Sequence, residues 1–353
     1  MSLSNDASTP SSSDRRVVLV APDKFRGSLS APEVVEAATA GARAAGWDVI
    51  GLPMADGGEG MLDAFGGANR TSSVTGPTGQ PVQARWRLGE DGVAVIESAA
   101  ASGLVLAGGK EGNDPVGATS AGTGELIAQA ALAGARRIIV GLGGSAMSDG
   151  GRGAVEATLA GLDGRRPADL GAELLAACDV QTPFVEAAQV FGPQKGATSE
   201  QVVELTGRLF ALQGEYVERF GVDVSLTSGA GAAGGLGGGL LVLGGELVPG
   251  LRLVAEQVGL EEAVGRADAI VTGEGALDAE SFNGKVVGGV VDAAEPEGLP
   301  VVVVTGVVRD DAPATRLAGL RVVDLSATYG AAASWNDTAA CIQRAVTEQL
   351  STL

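Results

Sequence analysis

Short unbroken runs of β-branched residues alternate along the chain with longer segments of helical period. RVVLVA (16–21), DAIVT (268–272), VVVVT (301–305) and RVVDL (321–325) show no polar alternation, the pattern of strands buried on both faces of a parallel sheet. Residues 47–53 and the run RIIV at 137–140 read the same way, and each discharges into a loop rich in glycine and acid. Ser30, Ala31, Pro32 and Glu33 form a capping box with proline in the first turn, which predicts a helix over about 31–45. Further helices are predicted over 119–135, capped at Ser120 or Thr123, and from a second box at 198–201 onwards. Between 71 and 98 the style changes to short alternating strands with hairpin signals at 76–79 and 90–92. Residues 170–179 read as a short amphipathic stretch, and 229–239 as a glycine-rich loop leading into the apolar run 240–243.

The last third of the chain repeats the βα style of the first sixty residues. The simplest architecture is therefore one α/β domain built from both chain ends, 15–67 with 250–353, and a mixed α/β domain inserted at 68–249. The Ser-rich residues 1–14 lack the apolar core of a signal peptide and are expected to form a disordered leader.

Composition narrows the chemistry. With 353 residues the chain can hold two domains, and its net charge of −19 argues against nucleic acid or an anionic membrane as the main partner. It has no histidine, so the usual general base and the usual transition-metal ligand are both missing. Cys178 and Cys341 are too far apart in sequence to suggest a zinc site or a disulfide framework, and a cytoplasmic setting fits. No transmembrane segment is expected, because the charge-free stretch 225–245 is dominated by glycine.

The candidate chemistry lies in the loops at strand ends, the edge where open α/β sheets bind ligands. Residues 141–153, GLGGSAMSDGGRG, offer backbone donors at Gly143 and Gly144, the hydroxyl of Ser145 and the carboxylate of Asp149. PDKFRGS places Asp23, Lys24, Arg26, Gly27 and Ser28 after the first strand. MADGGEGM flanks Gly57 and Gly58 with Asp56 and Glu59. Lys195 lies in FGPQKGAT, and Glu274, Asp278 and Lys285 follow the strand at 268–272. Taken singly, each is read as readily as a turn or a solvated charge. Together they suit phosphoryl transfer, which needs amides and lysine for phosphates, carboxylates for Mg²⁺, and one carboxylate for a hydroxyl proton. Gly141, Gly143 and Ala146 also fit a dinucleotide fingerprint, but Asp163, at the expected distance, follows a helical stretch instead of a second strand. No GxxxxGK[ST] motif is present.

APDKFRGSLSA, PMADGGEG, ATSAGTGELI, GLGGSAMSDGGRG, CDV, VFGPQKGAT, GAGAAGGLGGGL, VTGEGALD and NGK, in this order, resemble the bacterial glycerate kinase family, typified by the glycerate 2-kinases. The resemblance covers about residues 17–306. It implies a Rossmann-like or flavodoxin-like parallel-sheet domain with an inserted second α/β domain, and phosphorylation of glycerate by ATP with Mg²⁺, 2-phosphoglycerate being favoured over 3-phosphoglycerate. It also brings Asp179, in the CDV motif, into the binding set. On this reading Lys24, Arg26 and Lys195 hold the glycerate carboxylate or the ATP phosphates, while Asp56 or Asp149 accepts the proton. Glu274 and Asp278, with Glu59, are the expected Mg²⁺ ligands. The chain departs from the family pattern at Met147 and Ser148, at Ala276 and over 181–186. The alternatives are an NAD(P)-dependent dehydrogenase and a non-catalytic sugar-acid binding protein; a homo-oligomer is left open.

Overall fold

The computed structural model describes residues 16–353, and the leader expected over 1–14 lies outside the described residues. The strands, in chain order, are β1 (Val17–Val20), β2 (Asp48–Gly51), β3 (Arg70–Thr75), β4 (Pro81–Leu88), β5 (Val93–Glu97), β6 (Arg137–Gly141), β7 (Glu173–Ala177), β8 (Glu246–Val248), β9 (Ala269–Leu277), β10 (Val301–Val308) and β11 (Arg321–Asp324). They form a five-stranded and a six-stranded sheet, one in each of two compact units. The first unit joins the chain up to Met54 with Val258–Leu353, and the second is Ala55–Gln257. The division falls about a dozen residues before the joint expected at 67/68, so the loop carrying Asp56 and Glu59 packs with the insert.

In the terminal unit the sheet order is β2-β1-β9-β10-β11 and every pairing is parallel. That is the flavodoxin-like order, with its topological switch point between β1 and β9. The unbroken apolar runs have the cause inferred from their sequence. Val18, Val20, Val271, Val302 and Val304 are all buried, packed with helix Ala31–Ala44 and helix Thr338–Leu350 in one core. Each such side chain contributes about 1.5–3 kcal/mol by leaving water. The Ser30 box forms: its N–H and hydroxyl both donate to Glu33 Oε2 at 2.7 Å.

In the inserted unit the order is β3-β4-β5-β6-β7-β8. β3, β4 and β5 pair antiparallel, as the hairpin signals imply, and β5 to β8 run parallel. The stretch 170–179 contains a buried strand, β7. The glycine-rich 229–239 differs from expectation, because Ala232–Val242 is helical around a left-handed kink at Ala233, Gly234 and Gly235. Glycine disfavours an isolated helix, but here packing decides. A Cβ on Gly234 would collide with the Met147 carbonyl oxygen and come within 2.9 Å of Lys195 Nζ, so only a bare backbone fits. Among the described residues no helix is long and apolar enough to cross a membrane.

Candidate functional site

The parallel strands of the insert send their carboxyl ends to one edge, where Glu97 closes β5, Gly141 closes β6, Ala177 precedes Cys178 and Asp179, and Val248 precedes Gly250. The loop 55–60 lies against this edge. A Cβ on Gly57 (φ +91°) would collide with Gly250 Cα, and one on Gly143 would sit 3.1 Å from Gly58 Cα. Backbone meets backbone at both points, which side chains would prevent. The half-buried Asp56 accepts the Gly58 N–H at 3.3 Å, and Glu59 is exposed.

Glu97 fixes the far end of this loop, accepting the N–H groups of Gly60 and Leu62 on Oε1 at 2.9 Å each. Burial pushes its carboxyl up, partly offset by those two bonds. Glu97 is not among the residues expected from the sequence; its one signal there is an acid closing a buried strand. Asp179 accepts the Gly250 N–H at 2.9 Å. Asp179 as a residue is exposed, yet the mass around its carboxyl desolvates it and, with the negative charge of Asp56, pushes it up to about 6.

The central glycine loop divides into an open and a closed part. Among the described residues the amides of Gly143, Gly144 and Ser145 donate to no acceptor, and Gly144 is exposed. Asp149 is occupied: Oδ2 accepts from the Ser120 N–H (2.8 Å), the Ser120 hydroxyl (2.7 Å) and the Gly153 N–H (3.2 Å), and Oδ1 from the Gly151 N–H (3.0 Å). Lys195 is 2% exposed, and its amine donates to Ser145 Oγ at 2.9 Å and the Met147 carbonyl at 2.5 Å. Burial drives its pKa down to about 7, against the pull of Asp149. Ser148 has a buried hydroxyl with no partner among the described residues.

In the terminal unit the switch point gathers the expected groups. Asp23 and Lys24 follow β1 as a 3.5 Å ion pair, and the Asp23 N–H donates to Gly273 O at 2.9 Å, joining the loop after β1 to the middle of β9. Arg26 and Gly27 are exposed, and the Ser28 N–H donates to Phe25 O at 2.9 Å. Glu274 Oε1 is buried with no hydrogen-bond partner among the described residues. Its carboxyl is pushed up to about 7, chiefly by burial and further by Asp23 and Asp278, with Lys285 opposing. Asp278 Oδ1 accepts the Glu280 and Ser281 N–H groups at 2.9 and 3.1 Å, capping the turn Glu280–Phe282. Among the described residues no three acidic or cysteine side chains group as a metal site, so Glu274, Asp278 and Glu59 do not form a ready-made cage.

Asp163, the carboxylate that a dinucleotide site would need, lies in the turn after helix Arg152–Gly161 with its side chain 92% exposed, ten residues before β7 begins.

Fold and loops together define a two-unit α/β protein whose strand ends carry amide, lysine and carboxylate groups suited to anionic ligands. The glycerate kinase family model matches residues 18–165 and 160–352. The glycerate 2-kinase of Escherichia coli K12 is 40% identical over 340 residues, covering 87% of this chain and 89% of that one. The glycerate kinase of Bacillus subtilis 168 is 39% identical, with 86% and 88% covered. A crystal structure of a Salmonella typhimurium LT2 chain assigned as a glycerate kinase 2 superposes with TM-score 0.81 at 34% identity, covering 96% of this chain and 98% of its own. The chain belongs to the glycerate kinase family.

Proposed function

We propose that this protein transfers the γ-phosphoryl group of ATP to a hydroxyl of glycerate, forming 2-phosphoglycerate. The observation that carries the reading is the insert's open run of amides at Gly143, Gly144 and Ser145, packed against the loop that holds Asp56. Three amides without acceptors make a cradle for an anionic oxygen, and Asp56 is the neighbouring carboxylate with a single recorded hydrogen bond. Asp56 is therefore assigned as acceptor of the hydroxyl proton. Asp149 is assigned to holding the loop, because all four of its recorded bonds are to neighbouring backbone and Ser120. Lys195 likewise is read as a strut under Ser145 and Met147 instead of a phosphate ligand.

In the terminal unit Lys24, Arg26 and Lys285 are assigned to the triphosphate, the local cations that a chain of net charge −19 must supply. Mg²⁺ fits Glu274, whose buried Oε1 has no hydrogen-bond partner among the described residues, and Asp278 beside it is the second candidate ligand. An ion that keeps much of its water needs only one or two carboxylates in addition to phosphate oxygens. When bound it neutralises charge on those phosphates. Two free cysteines support the cytoplasmic reading.

The test is turnover of D-glycerate with ATP and Mg²⁺, the product being presented directly to an enolase, which consumes 2-phosphoglycerate and leaves 3-phosphoglycerate. No ADP release with glycerate would sink the function; ADP release without enolase signal would sink only the 2-hydroxyl.

A further inference from the structure

The segment after β11 crosses the carboxyl edge of the terminal sheet. It begins at Asp324, which accepts the Val308 N–H at 2.9 Å and caps helix Leu325–Tyr329. It passes over β10, where the Ser326 hydroxyl donates to Gly306 O at 2.7 Å and Ser334 to the same oxygen at 3.4 Å. Gly306 in turn abuts Gly275 of β9, and a Cβ on Gly275 would sit 3.3 Å from the Arg26 N. The segment ends at Trp335, whose indole Cη2 lies 3.1 Å from an ideal Cβ on Gly27, in the loop after β1. It thus runs from β11 across β10 and β9 to β1 and brings an indole to the switch point.

That indole is 62% exposed. Covering Gly27 needs one edge of the ring, and the rest of a large apolar surface stays in water; Arg26, the residue before Gly27, is exposed and has no ion-pair partner among the described residues. An exposed aromatic side chain set against the loop that carries Lys24 and Arg26, a loop bonded through the Asp23 N–H to the strand that bears Glu274 and its orphan oxygen, offers groups for the parts of a nucleoside triphosphate: base, phosphates and their counter-ion. We propose that Trp335 is the platform on which the base of ATP stacks, its phosphates lying toward Lys24, Arg26 and Lys285. The proposal rests on the kinase reading above and makes Trp335 a determinant of nucleotide affinity that is tolerant of which base is stacked, because every base has a π-face.

Tryptophan emission tests it without turnover. Trp47 and Trp86 are each 3% exposed, so emission quenched by acrylamide comes from Trp335. A non-hydrolysable ATP analogue with Mg²⁺ should shield that emission saturably, whereas tripolyphosphate, which lacks a base, should compete for the site and leave the emission accessible. Trp335→Ala should raise the KM for ATP about tenfold, in line with aromatic–base stacking, with kcat and the KM for glycerate changed by less than about threefold. Trp335→Phe should recover most of the loss. Unaltered acrylamide quenching at an analogue concentration that blocks turnover overturns the proposal, as does an unchanged KM for ATP in Trp335→Ala. Shielding that appears without nucleotide and grows with protein concentration also overturns it, marking a contact between copies. Absence of glycerate turnover would strike the kinase reading alone, since the emission titration still reports whether a nucleotide stacks.

Discussion

The two strand-end edges of this protein are built on opposite principles. In the insert, charge is internally satisfied: Asp149 takes four hydrogen bonds, Glu97 two, and Lys195 is buried between a hydroxyl and a carbonyl. In the terminal unit, Asp23 and Lys24 pair and Asp278 caps a turn, but Glu274 Oε1 has no partner among the described residues, and Arg26 and the uncharged Trp335 face solvent. Satisfied carboxylates hold loops in place before any ligand arrives, which is what a site for a small acceptor requires. Unsatisfied groups at the other edge leave their interactions to be completed by a polyanion and its cation.

The sharpest way to break this contrast is Asp149→Ala. It strips acceptors from Ser120, Gly151 and Gly153, and at roughly 1–3 kcal/mol per stranded donor the protein should lose about 3 kcal/mol or more. Urea unfolding would measure it, and an unchanged midpoint would mean that the loop does not depend on this carboxylate. Asp56→Asn should leave the unfolding free energy from urea titration within about 0.5 kcal/mol of the parent and lower kcat about a hundredfold or more, the scale of a lost general base. Near-normal turnover in that variant would remove Asp56 from the mechanism.

Glu97→Ala sharpens the comparison at a position that touches no proposed substrate group. Freed from its acceptor, the loop 55–60 should lose order, with kcat falling about tenfold and amide exchange quickening at Gly60 and Leu62. Glu97→Gln keeps an acceptor oxygen and should restore most of the rate. Normal exchange at both amides in Glu97→Ala would show that the carboxylate holds nothing.

The smallest effect is the pH dependence of stability, in which the two edges pull in opposite directions. Lys195 falls from 10.5 to about 7 on folding, so between these values the unfolded chain binds more protons. Its burial penalty is full below about pH 7 and is relieved as pH rises toward 10.5. Glu274 rises from 4.5 to about 7, so its contribution is fully present below pH 4.5 and is lost as pH rises through 7. Lys195→Met should flatten the upper window and Glu274→Gln the lower one in thermal melts across pH; identical profiles would show that neither group is shifted.

Much of this was legible in the order of residues. Unbroken β-branched runs identified the parallel strands, because a strand covered on both faces has no position for a polar side chain. The boxes at Ser30 and Thr198 marked two helix starts through bonds confined to four consecutive residues. The same locality exposed the candidate loops, since each strand end carries its own chemistry. Tertiary structure decided what surrounds those residues. Asp56 and Asp149 read alike in sequence, as acids beside glycines, and only the fold brings Ser120 against one and leaves the other with a single bond. Lys195 reads in sequence as a phosphate ligand, and packing leaves the residue 2% exposed with its amine on Ser145 Oγ and the Met147 carbonyl. The glycines of the helical segment 232–242 meet Gly150, Gly151 and the Met147 carbonyl, where a Cβ at Gly234, Gly235 or Gly239 would not fit. Trp335 gave no local sign of reaching Gly27, some three hundred residues away in sequence. Local hydrogen bonds and hydrophobic period are written in neighbouring residues, whereas burial, desolvation and the partner of each charge depend on which distant segments the sheet order brings together.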